Sequence, residues 1–129
     1  QLLQRLVSPA TFTNLLADAY FDDSILTEQV AEGYQRALLT EDWAQGFLAY
    51  IQAEEQNPVT LQALAENTTD TPVLFMWGEQ DTWVNIEVGR NMEAALNNTQ
   101  FITYENVGHL PMEETTDPFN TDLIAFLEG

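Results

Sequence analysis

Pro72 to Trp77 is a continuous apolar run, PVLFMW, that ends on Gly78-Glu79-Gln80-Asp81. A second run, TQFITYE from Thr99 to Glu105, is rich in β-branched and aromatic residues and ends on Asn106-Val107-Gly108-His109. A stretch apolar at every position suits a strand buried on both faces, the habit of parallel sheets. Between the runs, Ile86 to Leu96 reads as a helix with Val88, Met92, Ala95 and Leu96 facing inward, and Asn97-Asn98 stops it. Strand, helix and strand then make one right-handed βαβ unit. An acid, Asp81, and the single histidine, His109, follow the two strand ends. Open α/β sheets keep their chemistry at that edge.

The chain before this unit reads as helical. Pro9 to Tyr20 is one helix, and Thr27 to Leu39 is a second, with Val30, Tyr34, Ala37 and Leu38 at helical spacing behind a Thr-Glu start. In Glu41 to Glu54, Trp43, Phe47, Tyr50 and Ile51 fall on one face, and Asn57-Pro58 ends that helix and opens a short one through Ala65. The polar stretch ENTTDTP marks a boundary between a helical segment, residues 1–68, and a strand-bearing segment, residues 69–129. The last helix is expected from Asp117-Pro118, a capping side chain followed by a residue suited to the first helical position. Its apolar stripe is Phe119, Leu123, Phe126 and Leu127. No repeat, low-complexity tract or phosphate-cradling glycine loop is present.

Charge removes several classes of partner. Twenty-one acids stand against three basic residues, all arginine, for a formal net charge of −18. Such a surface repels nucleic acid and anionic membrane. The acids are spread along amphipathic segments as solvated helix faces, a composition that also suits a salt-tolerant source. Only Glu113, Glu114 and Asp117 are dense enough to suggest a cation site, and they lack the ligand spacing of a calcium loop. An apolar fraction of 45% supports a real core. No apolar run nears the roughly 18 residues of a membrane span, and a cytoplasmic location is the expectation. The chain opens on Gln1 without a basic-then-apolar leader, so any targeting signal is expected outside it. Without cysteine there are no disulfides or thiolate metal ligands, and the redox compartment stays open.

The segments TPVLFMWGEQDTWV and YENVGHLPMEE resemble the acid and histidine segments of the α/β-hydrolase superfamily, in which the triad runs nucleophile, acid, histidine along the chain. The stretch FDDSILTEQVAEGYQRALLTEDWAQGFLAYIQA is similar to the helical cap of cap-bearing members. The resemblance implies an α/β fold seen in its C-terminal part: residues 1–68 as cap or lid, and residues 69–129 as a β-α-β-α piece of the core with two parallel strands. It also implies Asp81 as the acid and His109 as the base. Members commonly have proline where Asn85 stands, and an acid such as Glu113 a few residues after the histidine. Loop positioning through backbone hydrogen bonds is the expected work of Glu113.

No nucleophile elbow of the Gly-x-Ser-x-Gly or Gly-x-Asp-x-Gly kind is present: the glycines stand at 33, 46, 78, 89, 108 and 129, no two of them four apart. The serines, Ser8 and Ser24, lie in VSPA and DDSI, neither a strand-to-helix turn. The expectation is therefore the C-terminal half of a hydrolase acting on a small, ester-like molecule. The nucleophile and two oxyanion-hole N–H groups would come from a missing N-terminal half, and neither cofactor nor metal is required. Trp83, Leu110, Trp43 and Phe47 are the candidates for substrate contact.

Blander readings stand beside these. Asp81 in a Gly-x-x-Asp turn can simply cap that turn, and a lone histidine is commonly structural. Trp77 and Phe47 serve equally well as core. A different class of function is a truncated or assembly module of hydrolase ancestry. Two strands alone are marginal, and an open edge on the first would seek the missing half or a second copy of the chain. Recruitment of Ser8 or Ser24 as a substitute nucleophile is the weakest alternative.

Overall fold

The structure, a computed structural model, describes residues 9–53 and 59–129. Those residues divide by contact into two compact units, 9–17 with 24–53, and 18–23 with 59–129. The helix Leu61–Asn67 goes with the sheet, because it packs on the helix that joins the strands. The short segment Asp18–Asp23 goes there too, through hydrogen bonds that no local pattern announces.

In the first unit, α1 (Pro9–Ala17) packs on α2 (Glu28–Gln35), and Gln35 Nε2 donates to Thr13 Oγ1 at 2.8 Å. Thr27 caps α2 as its Thr-Glu start predicts, accepting from the Val30 N–H. The helix expected through Leu39 tightens into a 3-10 turn at Arg36–Leu39. Then α3 (Trp43–Gln52) begins after Asp42, which takes a left-handed conformation at φ 57°. Its buried face is not the expected one: Ala44 is buried, whereas Phe47 and Tyr50 are 50% and 79% exposed. The side chain of Ile51, the Asn57-Pro58 break and Ser8 lie outside the described residues. Ser24 sits in the 3-10 turn Asp23–Ile25, not on an elbow.

The second unit is the βαβ unit. After α4 (Leu61–Asn67, capped by Thr60), β1 (Val73–Gly78) runs parallel to β2 (Thr99–Tyr104), in register from Val73↔Thr99 to Gly78↔Tyr104. The crossover is α5 (Ile86–Ala95). Phe75 and Tyr104 are buried, and the Phe75 and Phe101 rings stack at 5.5 Å. Removing a ring of this size from water contributes about 2–3 kcal/mol. Gly78 is buried too, and the other four residues of β1 are half-buried, less than a fully sandwiched strand, with a single neighbouring strand among the described residues.

Helix α5 meets the sheet only partly on the face its apolar residues suggested. Leu96 is buried and Met92 half-buried as expected, but Ala95 is exposed, Val88 is 47% exposed, and Gly89 is buried as well. A Cβ on Gly89 would lie 2.8 Å from the Trp77 ring and 3.0 Å from Phe101, so the missing side chain lets the helix lie against two stacked aromatics. Arg90 covers the outer side of this stack, 3.9 Å from the Phe101 ring centre, and pairs with Glu93.

The C-terminal end also departs from expectation. A short helix, α6 (Pro111–Glu114), precedes α7 (Thr116–Glu128), and Asp117 lies in the first turn of α7 without capping it. Pro111 supplies the helical start that Pro118 was expected to give, and the turn it begins runs on into Thr116. Phe119, Leu123 and Phe126 are half-buried, but Leu127 is 72% exposed. Tyr104 donates to Asp122 at 2.9 Å; burial first, then this hydrogen bond and the carboxylate charge, push its phenol well above the ordinary tyrosine range. Among the described residues no helix is long and apolar enough to cross a membrane.

Candidate active site

Parallel pairing brings Gly78 and Tyr104 side by side, so the loops that follow leave from the same end of the sheet. Beyond the strands the two loops remain joined. Glu79 N–H donates to Tyr104 O at 3.0 Å and Gln80 N–H to Val107 O at 2.9 Å, while Val107 N–H donates to the Gln80 side chain at 3.1 Å. Asn106, left-handed at φ 58°, turns the second loop back toward the first.

This scaffold puts Asp81 against His109. Asp81 Oδ2 lies 2.9 Å from His109 Nδ1, and Oδ1 accepts from the Trp83 and Val84 N–H groups at 2.9 and 2.8 Å. The turn-capping role and the histidine-holding role are thus not alternatives; each oxygen performs one. The carboxylate side chain is 4% exposed and the imidazole 32%. A carboxylate on Nδ1 holds the ring proton there and leaves the lone pair on Nε2, the tautomer a general base needs.

The surroundings of the pair are apolar. Asp81 and His109 line an open cavity of about 350 Å³ with Met76, Trp77, Met112 and Phe119 among its walls. Trp77 Nε1 donates to Val84 O at 3.1 Å, fixing that wall to the acid loop. No lysine or arginine is among the lining residues. Asn85 caps α5 by accepting from the Glu87 N–H, so the acid loop closes on a capped helix.

The structure brings together part of the expected set. Trp83 stands beside the histidine, ring centres 5.2 Å apart and planes tilted by 39°, and is 45% exposed. Leu110 is half-buried, and its carbonyl accepts from Glu113 and Glu114 at the start of α6. It does not line the cavity that holds His109. Trp43 and Phe47 belong to the other unit, where with Phe12, Leu15 and Leu38 they line an apolar cavity of about 470 Å³.

Loop positioning falls to a different acid than expected. Glu114 accepts backbone N–H bonds from Gly108 and Phe21, each at 2.8 Å, whereas Glu113 accepts from the Tyr20 hydroxyl at 2.6 Å. Adjacent residues on a helical turn point about 100° apart, so two neighbouring glutamates serve different partners. Both glutamates of the acidic cluster are thus engaged by donors of the chain itself. Among the described residues no group of three or more His, Cys, Asp or Glu could hold a metal.

The sequence matches the family model described as alpha/beta hydrolase fold over residues 2–116. Curated relatives include a hydrolase of Bacillus subtilis called YugF, 25% identical over 98% of this chain and 45% of that protein. Another is a 2-hydroxy-6-oxononadienedioate/2-hydroxy-6-oxononatrienedioate hydrolase of Pseudomonas putida, 29% identical over 98% of this chain and 46% of its own length. Among solved structures, a meta-cleavage product hydrolase from Pseudomonas fluorescens superposes with a TM-score of 0.78 at 20% identity, covering 94% of this chain and 46% of that one. The chain spans just under half the length of these relatives.

Proposed function

As the chain belongs to the alpha/beta hydrolase fold family, we propose that it is the acid-and-base half of a hydrolase acting on a small molecule with an electrophilic carbonyl, an ester foremost. The observation that carries this reading is the 2.9 Å contact between Asp81 Oδ2 and His109 Nδ1, with the carboxylate almost fully enclosed. On this reading His109 Nε2 takes the proton from a nucleophilic hydroxyl as that oxygen attacks the carbonyl carbon. The proton then passes to the leaving oxygen, giving a covalent acyl intermediate and a free alcohol. His109 next takes a proton from water, whose oxygen attacks the acyl carbon, and returns it to the hydroxyl as the acid product departs. Asp81 keeps the imidazole oriented and supports its positive charge in both steps. The nucleophile and the oxyanion donors belong to sequence outside this chain.

Substrate charge follows from the same site. Relatives are named for 2-hydroxy-6-oxo dienedioates, which carry two carboxylates. A chain of net charge −18 whose cavity walls bear no cation favours a neutral molecule.

A second reading, a non-catalytic module, is favoured by the sheet itself: β1 is paired on one edge only among the described residues. Such an edge would take a strand of the missing half or of a second copy. One experiment separates the two. Hydrolysis of 4-nitrophenyl acetate is measured with the chain alone, and with the chain joined to the amino-terminal part of the Bacillus subtilis relative. The hydrolase reading expects no turnover above buffer from the chain alone and turnover from the joined protein. A well-folded joined protein that stays inert, together with stable self-association of the chain alone, would favour the module.

A further inference from the structure

We infer that the segment Asp18–Asp23 is a clasp that holds the acid and histidine loops in mutual position, and that Glu114 is the positioning residue that fastens it; this rests on the reading of Asp81 and His109 as acid and base. The two loops leave different strands, so the 2.9 Å contact between Asp81 and His109 depends on whatever restrains both of them. The clasp touches each. On the acid side, Thr82, the neighbour of Asp81, donates its hydroxyl to Asp18 O at 3.1 Å. On the histidine side, the N–H of His109 itself donates to Ala19 O at 2.7 Å. Tyr20 donates to Glu113 at 2.6 Å.

Glu114 closes the arrangement. Its Oε2 accepts from Phe21 N–H in the clasp and its Oε1 from Gly108 N–H in the histidine loop, both at 2.8 Å. One carboxylate thereby joins two backbone segments with charge-assisted bonds, the stronger kind. Ala19 and Tyr20 are buried, at 2% and 6% exposure, so the clasp is packed as well as hydrogen-bonded. Gly108 permits the approach: a Cβ there would stand 2.5 Å from Ala19 O and 2.8 Å from Phe21 N, both backbone atoms that cannot rotate away. A site of this kind loses function when a group is misplaced by about 1 Å.

The test reads His109 directly and needs no turnover. In the chain labelled with ¹⁵N-histidine, solvent exchange of the His109 Nδ1 proton is measured by NMR, with the amide exchange of Phe75 and Ile102 as a control for the sheet. Glu114→Ala should speed the His109 proton at least about tenfold while the sheet amides stay within about twofold, as expected of a local opening. Glu114→Gln keeps the shape and one acceptor, and should fall between. An unchanged His109 proton in folded Glu114→Ala would overturn the clasp, as would equal acceleration of His109 and the sheet, the mark of a merely structural residue. If Glu114→Ala does not fold, Glu114→Gln decides alone: roughly threefold faster exchange at His109 supports the clasp, and none refutes it. Because hydrolysis plays no part, an inert parent enzyme would leave this result intact, and a negative result here would leave the hydrolase reading standing.

Discussion

On the proposed hydrolase reading, in a joined protein that supplies the nucleophile, His109→Ala should lower kcat by about 10⁶-fold, the order seen when the base of a hydroxyl–imidazole pair is removed. The expectation follows from what the site offers. Asp81 is 4% exposed and already bound by the Trp83 and Val84 N–H groups and by the imidazole, so it is not placed to act on a substrate itself. No other histidine exists in the chain to substitute. Binding should survive, because the apolar walls of the cavity remain, so the loss should fall on kcat with KM little changed. Steady-state kinetics on a chromogenic ester, with circular dichroism to show an unaltered fold, checks both parts.

The second large effect is expected from Asp81→Asn, about 10⁴-fold in kcat, and its origin is the proton's position on the ring. The Trp83 and Val84 N–H groups both point at Oδ1 and would bind the amide oxygen of asparagine there. That choice places the amide nitrogen where Oδ2 now faces Nδ1 at 2.9 Å. An NH₂ group donates, so the ring proton must move to Nε2, the atom that has to accept a proton from the nucleophile. Stability should change little, since both turn hydrogen bonds survive. Asp81→Ala would instead leave the part-buried Val84 N–H without its acceptor, at a cost of about 1–3 kcal/mol, and uncap the Trp83 N–H, which would confuse the kinetic loss with unfolding. A ¹⁵N spectrum of the imidazole reports the tautomer directly.

The strands and the positions of Asp81 and His109 were legible because they depend on local pattern. Val73–Gly78 is apolar enough to be read as a buried strand, and a residue placed just past a parallel strand end has little freedom in where it can go. The cap by Thr27 and the stop at Asn98 were legible for a similar reason, since each is set by a few neighbouring residues. What failed depended on partners distant in sequence. The inward face of α5 was legible at Met92 and Leu96 but not at Gly89, which no apolar count registers and which lies against the bulk of Trp77 and Phe101. Phe47 and Tyr50 were expected inward from spacing alone, but Ala44 lies inward. Glu113 and Glu114 are indistinguishable by composition; only the clasp, more than 90 residues earlier, separates their roles. The pairing of Asp18–Asp23 with loops at the other end of the sequence is likewise set by distant partners that no local pattern announces.

The measurement that bears most directly on Asp81 and His109 acting as one unit is kcat for the double variant, Asp81→Asn with His109→Ala, set beside the two single variants. If Asp81 acts only through the imidazole, removing the imidazole leaves it nothing to do, and the double variant should match His109→Ala within about threefold. A double variant slower than His109→Ala by a further factor near 10⁴ would show two independent contributions and contradict the paired role of these residues.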